Sequence, residues 1–156
     1  MDNDRSLLRR AVEIAGEGIE KGGGPFGAVI TTEGKIIAEA FNRVVLLNDP
    51  TGHAEILAIR QASEFLNSYN LSECTIYSSC EPCPMCLGAI YWAGIKKVVY
   101  SSDRKDAAGA GFNDSFIYDE IFLTPPERKI IFLQLTDNLS KEVFLKWEQY
   151  QNKIPY

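Results

Sequence analysis

Apolar positions recur at helical spacing near the start of the chain: Leu7, Leu8, Ala11, Val12, Ile14, Ala15 and Ile19 form one stripe, which Gly22-Gly23-Gly24 stops. The pattern then changes period. Ala28 to Thr32 and Lys35 to Phe41 flank Glu33-Gly34 and read as a hairpin, with Asn42 closing its second strand. Helical spacing returns after Gly52 in Ile56, Leu57, Ile59, Ala62, Phe65 and Leu66. A strand at Thr75 to Ser78 follows, then a helix through Leu87 to Ala93 and a strand at Lys97 to Ser101. This alternation implies right-handed crossovers and neighbouring parallel strands. Farther on, Asp106 to Gly111 reads as a small-residue loop and Asp114 to Phe122 as a short helix broken by Pro125-Pro126. Ile130 to Leu135 reads as a fifth strand and Glu142 to Asn152 as a last helix. The fold class predicted is α/β: a three-layer α/β/α sandwich around a mixed five-stranded sheet, antiparallel at the first hairpin and parallel beyond it.

A chain of 156 residues with 46% hydrophobic content fits one domain, residues 1–156, with a sizeable core. No run reaches the roughly eighteen apolar residues of a membrane span, and Met1-Asp-Asn-Asp-Arg lacks the regions of a signal peptide. The expectation is a cytoplasmic protein without membrane partners. That compartment keeps thiols reduced, so its four cysteines are expected to serve metal binding rather than disulfides. The net charge of −5 weighs against a nucleic-acid partner, whose phosphates call for a basic patch. Arg9-Arg10, Lys96-Lys97 and Arg104-Lys105 are short pairs that read as solvated faces.

The chemistry-bearing residues stand at the helix starts. Cys83 and Cys86, three apart in Cys80-Glu-Pro-Cys83-Pro-Met-Cys86, turn their sulfurs the same way, and His53 opens the preceding helix. One imidazole and two thiolates leave the fourth corner of a zinc tetrahedron open, as a catalytic site does and a structural site does not. Glu55, two residues after His53, is placed to carry protons. Other readings of the cysteines are a thioredoxin-like redox pair, an iron–sulfur run, or a structural zinc closed by Cys80. None of these uses Glu55, and His53 is the chain's single histidine, which excludes mechanisms that need a second.

His-x-Glu followed by Pro-Cys-x-x-Cys is the signature of the zinc-dependent nucleobase deaminases. Reading outward, Gly24-Pro-Phe-Gly-Ala28, Asn42, Asn48-Asp-Pro50, His53-Ala-Glu55, Ser79 to Trp92, Gly111-Phe112 and Asp114 to Tyr118 resemble the small bacterial guanine deaminases of the cytidine-deaminase fold. The resemblance runs from the first helix to Tyr156. It implies zinc, one ion per subunit, held by His53, Cys83 and Cys86, with Glu55 as the catalytic proton carrier in hydrolysis of guanine to xanthine and ammonia. It implies that Asn42 hydrogen-bonds the purine edge, that the Ala54 N–H contacts substrate or water, that Phe26 stacks on the ring and that Asp114 reads the N1–H or amino group. It also implies a homodimer in which a C-terminal segment from about 103 to 156 is exchanged and Tyr156 covers the partner's site.

Each of these positions also has an ordinary use: Asn42 ends a strand, Phe26 fits a core, Asp114 stands where a helix cap stands, and Tyr156 is a chain end. The alternative functions are editing of adenosine in transfer RNA by the same chemistry, deamination of another small base or nucleoside, and a structural-zinc or redox module.

Overall fold

The structure is a computed structural model and describes residues 2–155. The chain divides into two compact units, one ending at Ile117 and one beginning at Tyr118.

The first unit is built on a four-stranded mixed sheet. Helix α1 (Asp2–Glu20) leads into the hairpin β1 (Gly27–Thr32) and β2 (Lys35–Phe41). A one-turn helix α2 (Val44–Leu47), inside the stretch read only as a connection, precedes α3 (Ala54–Leu66). Then come β3 (Cys74–Cys80), α4 (Pro84–Trp92), β4 (Lys97–Ser102) and α5 (Arg104–Gly109). The strand order is β2-β1-β3-β4, with β1 antiparallel to both of its neighbours and β3 parallel to β4. Hence β2, β3 and β4 all run one way, and the antiparallel pairing extends past the hairpin to β1–β3.

Side-chain alternation on the strands divides the core in two. Ile30 and Ile76 face α3 and α4, where Ala54, Ala58, Ala62 and Ile90 pack. Val29 and Tyr77 face Leu7, Ala11 and Ile14 of α1 on the other side. Helices therefore cover both faces, giving the three layers expected. The close approach of α1 to β1 depends on Gly27, since a Cβ there would lie 2.2 Å from the carbonyl oxygen of Ala11.

Three expectations fail. The sheet is antiparallel at β1–β3 as well as at the hairpin, not parallel beyond it, because β1 lies between β2 and β3 and runs against both. Residues 104–109 form a helix rather than a loop, because Asp103 and Asp106 close a capping box: Asp103 accepts from the N–H groups of Lys105 and Asp106, and Asp106 accepts from that of Asp103. The sheet has four strands, not five, since residues 130–135 form no ladder. A run apolar on both faces needs a neighbouring strand and cover on each side. Here Ile131 is 93% exposed and Leu133 80% exposed.

Helix α6 (Ser115–Phe122) spans the division between units. The second unit continues with a 3₁₀ turn (Pro125–Glu127), capped reciprocally by Thr124 and Glu127, and helix α7 (Asn138–Gln149), whose first turn donates to Asp137. Neither buries a residue. Among the described residues, no helix is long and apolar enough to cross a membrane.

Candidate active site

Because β2 and β3 run the same way, the segments that follow them emerge at one edge of the sheet. His53 is the N-cap of α3 and Cys83 is the N-cap of α4, with Pro84 in the first turn fixing the helical start. Neither side chain makes a capping hydrogen bond, so both are free for other work. The approach to His53 is held by a turn in which Asp49 Oδ1 accepts from the Thr51 N–H at 2.8 Å and the Thr51 hydroxyl at 2.7 Å.

These helix starts bring the ligand atoms together. His53 Nδ1 lies 3.5 Å from Cys83 Sγ and 3.6 Å from Cys86 Sγ, and all three ligand atoms fall within 4.8 Å of one another. Tetrahedral zinc with ordinary Zn–N and Zn–S bonds separates its nitrogen and sulfur ligands by about 3.5 Å, so the cluster fits the ion. Cys83 is held well below the usual thiol range, first by its hydrogen bond with Cys86 and then by His53, while Cys86 is pushed up, first by Cys83 and then by burial. Two sulfurs this close ionise together only beside a cation. Cys80 takes no part in the cluster: its thiol donates to the Asp103 carbonyl at 3.5 Å, and burial pushes its pKa up to about 11. Among the described residues, then, the cluster has three protein ligands and an open side, and the structural site closed by Cys80 does not form.

Glu55 is 5% exposed, with Oε1 accepting from the Ser78 hydroxyl at 2.9 Å and Oε2 3.4 Å from Cys86 Sγ. Burial, above all, raises its pKa. A carboxyl in these surroundings takes up a proton more readily than an exposed one, as a general acid–base group requires.

A cavity of about 570 Å³ opens on this cluster. His53, Glu55, Cys83, Phe26, Asn42 and Asp114 all line it. Asn42 is buried and its backbone is fixed, its N–H donating to the Phe26 carbonyl and its own carbonyl accepting from the Gly24 N–H. Its Oδ1 accepts from the Val44 N–H at 3.2 Å, which leaves the amide NH₂ to serve the cavity. A Cβ on Gly23 would lie 2.4 Å from the Asn42 carbonyl oxygen, so this asparagine needs the glycine run beside it. Phe26 meets Phe112 edge to face, with ring centroids 4.9 Å apart.

Asp114 does not hold the start of α6. Asn113 does, its Oδ1 accepting from the Ser115 N–H at 3.0 Å and the Ser115 hydroxyl at 2.7 Å. The Asp114 carboxyl is half-buried on the cavity wall, with its pKa raised by burial and then by Cys83. Ala54, at the first turn of α3, is fully buried and is not among the cavity-lining residues. Tyr156 lies outside the described residues.

The structure adds Ser78 to the site, and the pair of Glu81 and Arg104 on the cavity wall, whose side chains approach to 3.3 Å. The signal for Ser78 was a hydroxyl at an inward register of β3. For Glu81 and Arg104 no local signal existed.

A three-ligand His/Cys/Cys centre with an open side, a buried glutamate beside it and a cavity with room for a nucleobase define a zinc-dependent nucleobase deaminase site. Residues 1–102 match the cytidine and deoxycytidylate deaminase zinc-binding region, and the chain belongs to that family. It is 53% identical to the guanine deaminase of Bacillus subtilis over 155 residues, covering 99% of each chain. The X-ray structure of guanine deaminase from that organism superposes with a TM-score of 0.95, covering 97% of this chain and 98% of the other. The tRNA-specific adenosine deaminase of Aquifex aeolicus is 44% identical over 103 residues, 66% of this chain and 68% of that protein.

Proposed function

We propose that the protein hydrolyses guanine to xanthine and ammonia. The reading rests on one arrangement: Asp114, Asn42 and Glu55 line a single cavity together with the His53/Cys83/Cys86 cluster. Guanine presents an acceptor at O6 and donors at N1 and the 2-amino group. The Asn42 NH₂ matches the acceptor edge, and the Asp114 carboxylate matches the donor edge. Adenine offers an amine where guanine has O6 and no donor at N1, so the same pair of groups discriminates against it. The whole-length likeness to a guanine deaminase supports this reading over transfer-RNA editing, as do the net charge of −5 and the shorter match to the tRNA-specific enzyme.

Bound zinc supplies Lewis acidity that makes water a nucleophile near neutral pH. The residues of the chain do the rest. Glu55 accepts the proton of the attacking water as its oxygen bonds to C2 and delivers that proton to the ring nitrogen beside C2. It then takes the remaining proton from the new C2 hydroxyl and gives it to the amine as the C2–N bond breaks, which leaves the C2 carbonyl of xanthine and releases ammonia. Asn42 and Asp114 fix C2 within reach, and Phe26 flanks the ring.

We further propose a cytoplasmic homodimer, in which the part of the segment from about 103 to 156 that lies beyond the cavity residues Phe112 and Asp114 is exchanged and Tyr156 covers the partner's site. The exposed apolar run at 130–135 supports an exchange that gives it cover, and four unpaired cysteines suit a reducing compartment. Sedimentation should give twice the chain mass; a monomer at working concentration overturns the exchange. Incubating zinc-loaded protein separately with guanine, guanosine, adenine and cytosine tests the reaction. Xanthine and ammonia from guanine are expected, and release of ammonia only from another base or from transfer RNA overturns the assignment.

A further inference from the structure

We infer that Ser78 is a positioning residue for Glu55, holding one carboxylate oxygen so that the other faces the reacting atoms. This rests on the proposed function only in that Glu55 carries the protons. On β3, Cys74, Ile76, Ser78 and Cys80 fall on one face by alternation, and Cys74 and Ile76 belong to the core packed against α3 and α4. That row calls for apolar side chains. Ser78 places a hydroxyl in it at 1% exposure, where an unpaired polar group would be costly. Its proton goes to Glu55 Oε1 at 2.9 Å, across 23 residues of sequence.

The hydrogen bond divides the labour of the carboxylate. Oε1 is anchored to the central sheet, where β3 is hydrogen-bonded on both sides. Oε2 lies on the side of Cys86, at 3.4 Å, and hence toward the metal cluster. A glutamate on the first turn of a helix has freedom about its side-chain torsions. Ser78 removes that freedom at the group that must meet both water and substrate in the right geometry. Ser79, the next residue, serves the backbone instead, accepting from the Gly27 N–H at 3.0 Å. The two adjacent hydroxyls therefore have separate uses.

Two pairs of variants isolate the hydroxyl: Ser78→Ala against wild type, and Ser78→Thr against Ser78→Val, which share one volume. Removing the hydroxyl should lower kcat for guanine about tenfold in both pairs, with KM and bound zinc unchanged. Crystals of Ser78→Ala should show the Glu55 carboxyl in a second or displaced rotamer. Wild-type kcat in Ser78→Ala, or equal kcat in the Thr and Val variants, overturns the inference while leaving guanine deamination standing. If the wild type fails to deaminate guanine, the functional reading falls instead. The rotamer then decides for Ser78, and an unmoved, singly ordered Glu55 overturns its role.

Discussion

His53 Nδ1 and Cys83 Sγ approach to 3.5 Å although 30 residues separate them in sequence, and each is the N-cap of its own helix. The juxtaposition follows from topology: two strands of one direction end at one sheet edge, and the helices after them start there. Positive helix ends then favour the thiolates. Replacing His53 with Ala, or Cys83 or Cys86 with Ser, leaves two ligands. Metal content should fall from one zinc per chain toward zero by elemental analysis, and ammonia release should fall with it. Chelation of the wild type should have the same effect, reversed by added zinc. Full turnover after chelation to zero metal would contradict the site.

Glu55 sits within reach of Cys86 without joining the cluster, which separates metal binding from proton transfer. Glu55→Gln keeps the volume and the hydrogen bond from Ser78 but removes the proton carrier. Turnover should drop by roughly 10²–10⁴-fold with zinc content unchanged. A loss of zinc in parallel would show that Glu55 acts as a ligand.

What was legible in the sequence was what depends on short spacing. His53 with Glu55, and Cys83 with Cys86, are each fixed relative to one another by a single helical turn, so their geometry follows from adjacency. Asp103 and Asp106 also carried a local signal, a capping box, which the small residues Ala107, Ala108 and Gly109 masked as a loop. Ser78 shares a face with Ile76 by alternation, but its use was illegible because its partner is 23 residues away. Residues 130–135 read as a strand because an apolar run reports a demand for cover, not the strand that would meet it. At Asp114 and Asn113 the two neighbouring residues have equal propensity to hold a helix start, and packing decides between them.

That last choice separates function from stability. Asp114→Ala removes a carboxylate on the cavity wall, and kcat/KM for guanine should fall roughly 10–100-fold, the value of a hydrogen bond to a charged group, with the melting temperature nearly unchanged. Asn113→Ala removes the acceptor of the Ser115 N–H and should cost about 1 kcal/mol or less of stability while turnover per folded chain persists. Reversed phenotypes would return Asp114 to the role of a cap.

Away from the site, the Tyr77 hydroxyl of β3 donates to Asp4 Oδ1 of α1 at 2.7 Å, and Lys97 of β4 meets the same oxygen at 2.9 Å. Asp4 is held below its ordinary value of 3.8, first by Tyr77 and then by Lys97, while burial and then Asp4 push Tyr77 up to about 12. A depressed carboxyl contributes stability that is full above its unfolded pKa and lost as pH falls through the folded one. A raised phenol contributes stability that is full below its unfolded pKa, about 10, and lost as pH rises through the folded value. The contact between α1 and the sheet should therefore be strongest from about pH 4 to 10 and weaken on both sides. Tyr77→Phe should lower the melting temperature at pH 7, and its deficit relative to wild type should shrink below the ordinary aspartate range. A deficit that stays constant down to pH 2 would assign the effect to packing of the ring rather than to the bond with Asp4.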